Sequence, residues 1–325
     1  MRRAIIEYYF YEYLVNPLRI ILSNRKSCAG FILLMGFATL AVYGAFINVD
    51  LTTHPERAFI PPTIVRVLTG VRSDVPWWEY PLGTDWKGRD ILGMLAKGAG
   101  PLLEAALAAG LITILVGMSI GLTAGYLGGL ADRVLMWVTD VFLNIPSLPL
   151  YVLIGILMLK AQMQFNPILV AAVVSITSWA GIARALRSQV LSLKTQPFIE
   201  LARSLGMSTR YIVFREILPN VGGYIAINFV FSTTGAVYAI TGLFFLGALP
   251  IDPTQWGVML NDAWKNVFLF GPGVYYLVEV IAALALLQIA FVLLSYGLDE
   301  IFNPRVREKY FKTAVAVLMR YRKKP

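Results

Sequence analysis

The chain has 325 residues, of which 58% are hydrophobic and only 14% charged, with a mean hydropathy of +0.67 and a net charge of +9. Soluble domains lie near about 45–50% apolar and roughly 25% charged residues, so a soluble globular protein is excluded, and a basic excess confined to short stretches between apolar runs is not the continuous face of a nucleic-acid binder. A single cysteine, Cys28, and a single histidine, His54, exclude an intrachain disulfide and a Cys/His metal cluster.

Residues 1–28 read as a retained leader. Arg2 and Arg3 are basic, but Glu7 and Glu12 interrupt the aromatic run Tyr8–Leu14 and no small-residue cleavage site stands out. An amphipathic segment near the membrane surface is expected there. Crossing a bilayer takes about 20 mainly apolar residues, and the first span is expected at Ala29–Val49. A polar loop, 50–100, follows. The second span is expected at Leu102–Tyr126, with Glu104 near its outer end. The third, Val134–Leu159, is the least regular, because it contains Asp140, Asn144, Pro146 and Pro149. The fourth is expected at Pro167–Leu186, the fifth at Pro219–Leu246 and the sixth at Val274–Leu298. The fold class is therefore all-α: a polytopic membrane protein with six transmembrane helices. Its core, 101–298, holds five spans and a polar loop, 187–219. A basic tail, 299–325, ends the chain.

Basic residues set the orientation. With an even number of spans, 20 of the 28 Lys and Arg fall on the side shared by the two termini and the loop around Arg184–Arg215. The opposite side carries six in the first long loop, plus Lys160 and Lys265, and that loop is balanced by Asp50, Glu56, Asp74, Glu79, Asp85 and Asp90. The positive-inside rule puts both termini and the 187–219 loop in the cytoplasm.

Within that loop the stretch ELARSLGMSTRYIVFREILPN reads as two short helices around a corner. Pro197 suits a first helical turn, Leu201 and Leu205 share a face, Gly206 suits a left-handed helix end, and Ser208 or Thr209 can cap the next helix. A helix–Gly–helix elbow held between two spans can move as one piece.

Other features carry a bland reading beside a functional one. Gly83 to Asp90 can form a loop clasp through tight glycine turns and the charges of Asp85, Arg89 and Asp90, with no cargo contact; the two aspartates form no hydrolase pair without a pocket. Asp140 and Asn144 share a helical face. A carboxylate inside a span suggests a translocation path or gate, or a pairing with a basic group, and the kink signalled by Pro146 and Pro149 belongs where the backbone is covered by protein or lines water. Glu104 and Glu279 read as interfacial. Gly117, Gly121 and Gly125 make a close-packing face, more simply toward this chain than toward a partner. Trp77, Trp78, Trp137 and Trp179 suit interface anchoring. The tail, from Arg305 to Lys324, encloses the short apolar patch Ala314–Met319 and suits anionic lipid or a protein contact.

The elbow resembles the EAA signature of ABC importer permeases. Glu200, Ala202, Gly206, Leu218 and Pro219 fit it; Leu201 stands where a second small residue is usual, and Glu216 where an apolar one is. More of the chain, about 25–307, resembles one branch, the C-type subunits of the dipeptide/oligopeptide and nickel permeases. Leu82, Gly83, Thr84, Asp85, Gly88, Arg89 and Asp90 match its LGTD-x-x-GRD segment. The stretches AGYLGGLADRVLMWVTDVFLNIPSLPL, with Pro146, and ARALRSQVLSLKTQPFIELARSLG match in order. So do GLFFLG with Trp256 and Gly257, and Asp299 with Asn303-Pro304-Arg305.

The resemblance implies a type I ABC importer permease with no chemistry of its own. It implies a homologous B-type permease subunit as heterodimer partner, two ABC ATPase subunits carrying ATP and Mg, and an extracellular solute-binding protein. No cofactor or metal is expected on this chain, which has no P-loop. Glu200, Leu201, Ala202, Arg203, Leu205 and Gly206, with Leu218 and Pro219 behind them, are expected to couple to the ATPase, and Glu200 is expected to cap or to pair with Arg203 or Arg187. Peptide is the expected cargo, with oligosaccharide, nickel or opine as alternatives. A secondary transporter would leave the elbow unexplained and show inverted repeats; a membrane enzyme would need clustered reactive side chains at one depth.

Overall fold

A computed structural model describes residues 16–70, 75–76, 78–266 and 273–302. The first part of the leader, Trp77, the Asn303-Pro304-Arg305 run and the rest of the basic tail lie outside the described residues, whereas residues 299–302 belong to the last helix. Helix α1 (Asn16–Ser23) leads into α2 (Arg25–Phe46), which Asn24 caps by accepting from Lys26 N at 2.9 Å. The helix that holds the expected first span, Ala29–Val49, thus runs from Arg25 to Phe46. A long loop with a short helix, α3 (Thr63–Thr69), precedes α4 (Ile91–Leu127). α4 starts well before the expected Leu102, because Asp90 caps it and the helix runs through Pro101.

The expected third span is two helices. α5 (Gly129–Asn144) and α6 (Ser147–Lys160) meet at 78° across a two-residue break. Pro146 sits at the break and presets the entry to α6, where Pro149 falls in the first turn, a position that needs no amide donor. α7 (Pro167–Lys194) runs past the expected end of the fourth span. After the elbow helix α8 (Pro197–Ser204), α9 (Thr209–Phe245) continues without interruption into the fifth span. Pro219 cannot donate to the carbonyl a turn behind it. The chain absorbs this with a wider π-type segment, Ile212–Ile217, where Leu218 N bonds to Val213 O five residues back. The second elbow helix is therefore the first turns of α9. α10 (Trp256–Asn266), not foreseen as a helix, and α11 (Val274–Phe302) complete the chain.

Among the described residues, five helices are long and apolar enough to cross a membrane, six if the bent α5–α6 pair counts as one span. α4 and α9 have 37 residues each, or about 55 Å at 1.5 Å per residue, so both outreach the roughly 30 Å hydrocarbon layer. α4 and α7 run parallel and close. A Cβ on Gly121 would stand 2.7 Å from Ala183 O, and one on Gly125 2.7 Å from Val190 Cβ. The glycine stripe thus packs within this chain. Val170, Val237, Leu243, Met259 and Leu287 fill the main core, and buried Trp256 donates to Leu95 O at 2.9 Å. A second core of Leu186, Val190, Ile199, Ile212 and Ile217 lies under the elbow. Phe302 packs at Gly222 and Gly223, and Asn24 bonds Glu300 at 3.0 Å, so α1, the end of α11 and the elbow share one end of the bundle. The loop at Gly83–Asp90 lies at the other.

Candidate functional site

Three places concentrate polar or exposed side chains: the elbow, the clasp at Gly83–Asp90 and a groove between them.

At the elbow, α8 ends as sequence spacing predicts. Gly206 takes φ +75°, and Met207 N bonds Ala202 O at 3.1 Å while Gly206 N bonds Arg203 O at 2.9 Å, the paired bonds of a left-handed helix stop. Ser208 then caps α9 by accepting from Tyr211 N at 3.3 Å. Ile199 and Ala202 face the bundle and are buried in the second core. Ala202 is therefore turned toward the bundle, away from the exposed face of the elbow. Leu218 packs partly against the same core. Leu201 and Leu205 do point outward, 60% and 65% exposed, and Phe214 joins them at 61%. Phe198, Met207 and Tyr211 are exposed on the same elbow, so its two helices present several apolar side chains, a knob for short, away from the buried core. The spacing of Phe198, Leu201 and Leu205 carries that signal in sequence; Phe214, across the corner, is placed only by the fold. The carboxylate of Glu200 is exposed and forms no ion pair among the described residues. Its expected partner Arg187 instead binds Asp132 on α5, Nη2 to Oδ2 at 2.6 Å. Arg203 lies over the ring of Tyr126.

At the opposite end Asp85 is fully buried. Its Oδ1 accepts from Arg89 N at 2.8 Å and Lys87 N at 2.9 Å, and its Oδ2 from Arg89 Nε at 2.7 Å. Arg89, 4% exposed, also bonds Asp262 of α10 at 2.9 Å, and Trp86 Nε1 donates to the same carboxylate at 3.0 Å. Thr84 accepts from Ile60 N at 2.9 Å and donates to Arg57 O. Gly83 and Gly88 have φ +78°, and a Cβ on either would strike Ile60 O or His54 O at 2.3 and 2.2 Å. Asp90 accepts from Leu92 N at 3.1 Å and Gly93 N at 3.0 Å, capping α4; burial pushes its carboxyl above the ordinary range while these amides pull it back. Buried Arg66 ties α3 to the loop by donating to Glu79 O at 2.8 Å, and donates to Thr63 Oγ1 within α3 at 2.8 Å. Sequence spacing brought Asp85 and Arg89 together. Asp262 and Arg66 escaped it, Asp262 because it is 173 residues from Arg89. Beside the clasp lies a basin of about 280 Å³ bordered by Lys87, Phe244, Leu246, Asn261 and Lys265.

Between the two ends, α6, α7 and α9 leave an open groove of about 580 Å³. Ser147, Ser178, Tyr224, Asn228, Phe231 and Ser232 border it. On α9 these positions recur every three to four residues and so share one face. No charged side chain borders the groove. Asp140 and Asn144 do not border it. Asp140 pairs with Arg184 on α7, and Asn144 Nδ2 donates to Asp140 O at 2.7 Å. Pro146 stands one residue before Ser147, at the groove's edge. Carboxylate positions do not point to this face, because hydroxyl, amide and apolar side chains make it.

A family model described as "Binding-protein-dependent transport system inner membrane component" matches residues 117–308. The dipeptide transport system permease protein DppC of Bacillus subtilis is 28% identical, covering 91% of this chain and 87% of its own length. The oligopeptide permease protein OppC of the same organism is 27% identical, with 88% of each chain covered. The glutathione transport system permease protein GsiD of Pectobacterium atrosepticum is 34% identical over 72% of this chain and 76% of its own. Among solved structures, a chain of the inward-facing MetNI methionine ABC transporter superposes with a TM-score of 0.50 at 16% identity, covering 63% of this chain and 96% of that one. At that identity the likeness speaks for the fold alone.

Proposed function

Because the chain belongs to the family of binding-protein-dependent transport system inner membrane components, in its dipeptide/oligopeptide permease branch, we propose that it forms half of a peptide path and drives it through the elbow. It is a multi-pass permease subunit of an ABC importer. The observation that carries the finer reading is the elbow's two-sidedness. Ile199 and Ala202 seat it on the bundle while Leu201, Leu205 and Phe214 stay exposed. Exposed large apolar side chains gathered on one short polar segment suit a protein contact, and an ABC ATPase is the partner the reading assigns to it. Two ATPase subunits, one on this elbow and one on that of a homologous B-type permease, would hold the ATP and Mg. Drawing the elbows together then shifts the helix bundles between inward- and outward-open packings.

In this reading the elbow and both termini are cytoplasmic, and the basic tail lies on anionic lipid. The groove on α6, α7 and α9 is this chain's share of the path. Its hydroxyl and amide groups can bond peptide amides, and the absence of charge on its border puts no electrostatic selection on cargo side chains. The external binding protein docks on the clasp side. Purification from the native membrane in mild detergent, with mass spectrometry of what accompanies the chain, tests the assembly. Two ATPases, one homologous permease and a peptide-loaded binding protein support it, whereas a homo-oligomer without ATPase contradicts it.

A further inference from the structure

The inner end of α4 carries a residue that neither the docking surface nor the groove uses. Tyr126, the penultimate residue of α4, is 9% exposed. Three elements meet on it. Lys194, closing α7, donates its ammonium to Tyr126 O at 2.5 Å and lies 5.6 Å from the ring centroid. It thereby satisfies a carbonyl that the helix end leaves open and neutralises the negative end of the helix dipole. Arg203, in the last turn of α8, places its guanidinium carbon 5.6 Å from the same centroid. Two cations thus share one aromatic ring, within the range of cation–π attraction. Beyond Tyr126 the chain turns at Gly128 and Gly129, both with positive φ, into α5.

We propose that Tyr126 is the positioning residue through which displacement of the elbow reaches α4. The apolar seat made by Ile199 and Ala202 is non-directional and lets α8 slide. The Arg203–Tyr126 contact gives α8 one fixed point on the helix. α4 is continuous from Tyr126 to its cap at Asp90, which directly follows Arg89 of the outer clasp. A push at the ring therefore moves a single rod that ends beside the Asp85–Arg89–Asp262 network. The same rod carries displacement the other way, from the clasp face to the elbow. This inference rests on the elbow being the ATPase contact.

The test uses the whole complex in liposomes and reads ATP hydrolysis with and without the co-purifying binding protein. Tyr126→Phe keeps the ring and retains wild-type stimulation. Tyr126→Leu removes it, and stimulation falls about tenfold, within the usual span of coupling between sites, while both ATPases stay bound. Arg203→Gln lowers stimulation too, and the double variant is no worse than Tyr126→Leu alone, because both remove one contact. Wild-type stimulation in Tyr126→Leu overturns the proposal, as do equal losses in Tyr126→Phe and Tyr126→Leu, or strictly additive losses in the double variant. If Tyr126→Leu does not assemble, the exposed Arg203 decides. Lost stimulation in an assembled Arg203→Gln complex supports the relay, and full stimulation refutes it. A wild-type complex with no ATPase would defeat the importer reading itself, and the relay with it.

Discussion

Arg89 shows how a single side chain can lock one end of this protein. Its charge is almost wholly withdrawn from water and is compensated by two carboxylates, one four residues away and one on α10. Removing one partner of a buried pair leaves the other uncompensated, at a cost of about 3–5 kcal/mol. Arg89→Ala should therefore lower the thermal midpoint of the detergent-solubilised chain by several degrees, and an unchanged midpoint would show that the network is not structural. His54 makes a milder prediction. Its imidazole lies 2.8 Å from Asp50 and 3.3 Å from Glu56, and the hydrogen bond with Asp50 raises its pKa above the ordinary histidine value. The stability this exposed group adds to the loop is therefore fully present below about 6.5 and fades as pH rises through the raised value. Asp50, held far below the usual carboxylate range by bonds from Thr52, keeps its contribution until strong acid. An NMR titration of the single histidine should give a midpoint above 6.5 that falls back in Asp50→Asn; an unshifted midpoint in the wild type would contradict the pairing. At this scale sequence spacing placed Asp85 and Arg89 at one site, because four residues suffice for a tight turn. It had no means to place Asp262, Tyr126 or the groove face of Asn228, whose neighbours come from other helices.

At the scale of elements, the glycines of α4 decide which helix lies against it. A Cβ on Gly121 meets the backbone of Ala183, whereas one on Gly36 of α2 meets open space. Gly121→Val should thus cost roughly 1–3 kcal/mol through overpacking and reduce the yield of folded protein, while Gly36→Ala is tolerated; equal behaviour of the two would contradict the α4–α7 contact. Helical periodicity made the spans and the glycine stripe legible. It did not separate α5 from α6, since hydropathy continues across Ile145 and Pro146 and only the prolines hint at a break. It also ended the elbow at Pro219, where the π-type turn lets α9 pass through. α10 was hidden by its mixed composition, which resembles a loop until Trp256 and Met259 are seen buried.

At the scale of the whole molecule, two helices longer than a bilayer is thick connect an apolar knob at one end to a charged lock at the other. The order of motifs along the sequence foretold an importer permease, and the matching family and relatives agree. In the proposed assembly, partners would cover two surfaces left open here: the knob of Leu201, Leu205 and Phe214, and the groove. Coupling through the knob is the central claim. The direct measurement is ATP-driven uptake of a labelled tripeptide into liposomes bearing the assembled complex, comparing wild type with Leu201→Asp/Leu205→Asp. These side chains are exposed, so the bundle itself should survive. The account predicts that the double variant loses its ATPase subunits and at least about 90% of uptake, since two charges in an apolar contact cost several kcal/mol. Undiminished ATP-driven uptake with both ATPases still bound would contradict it.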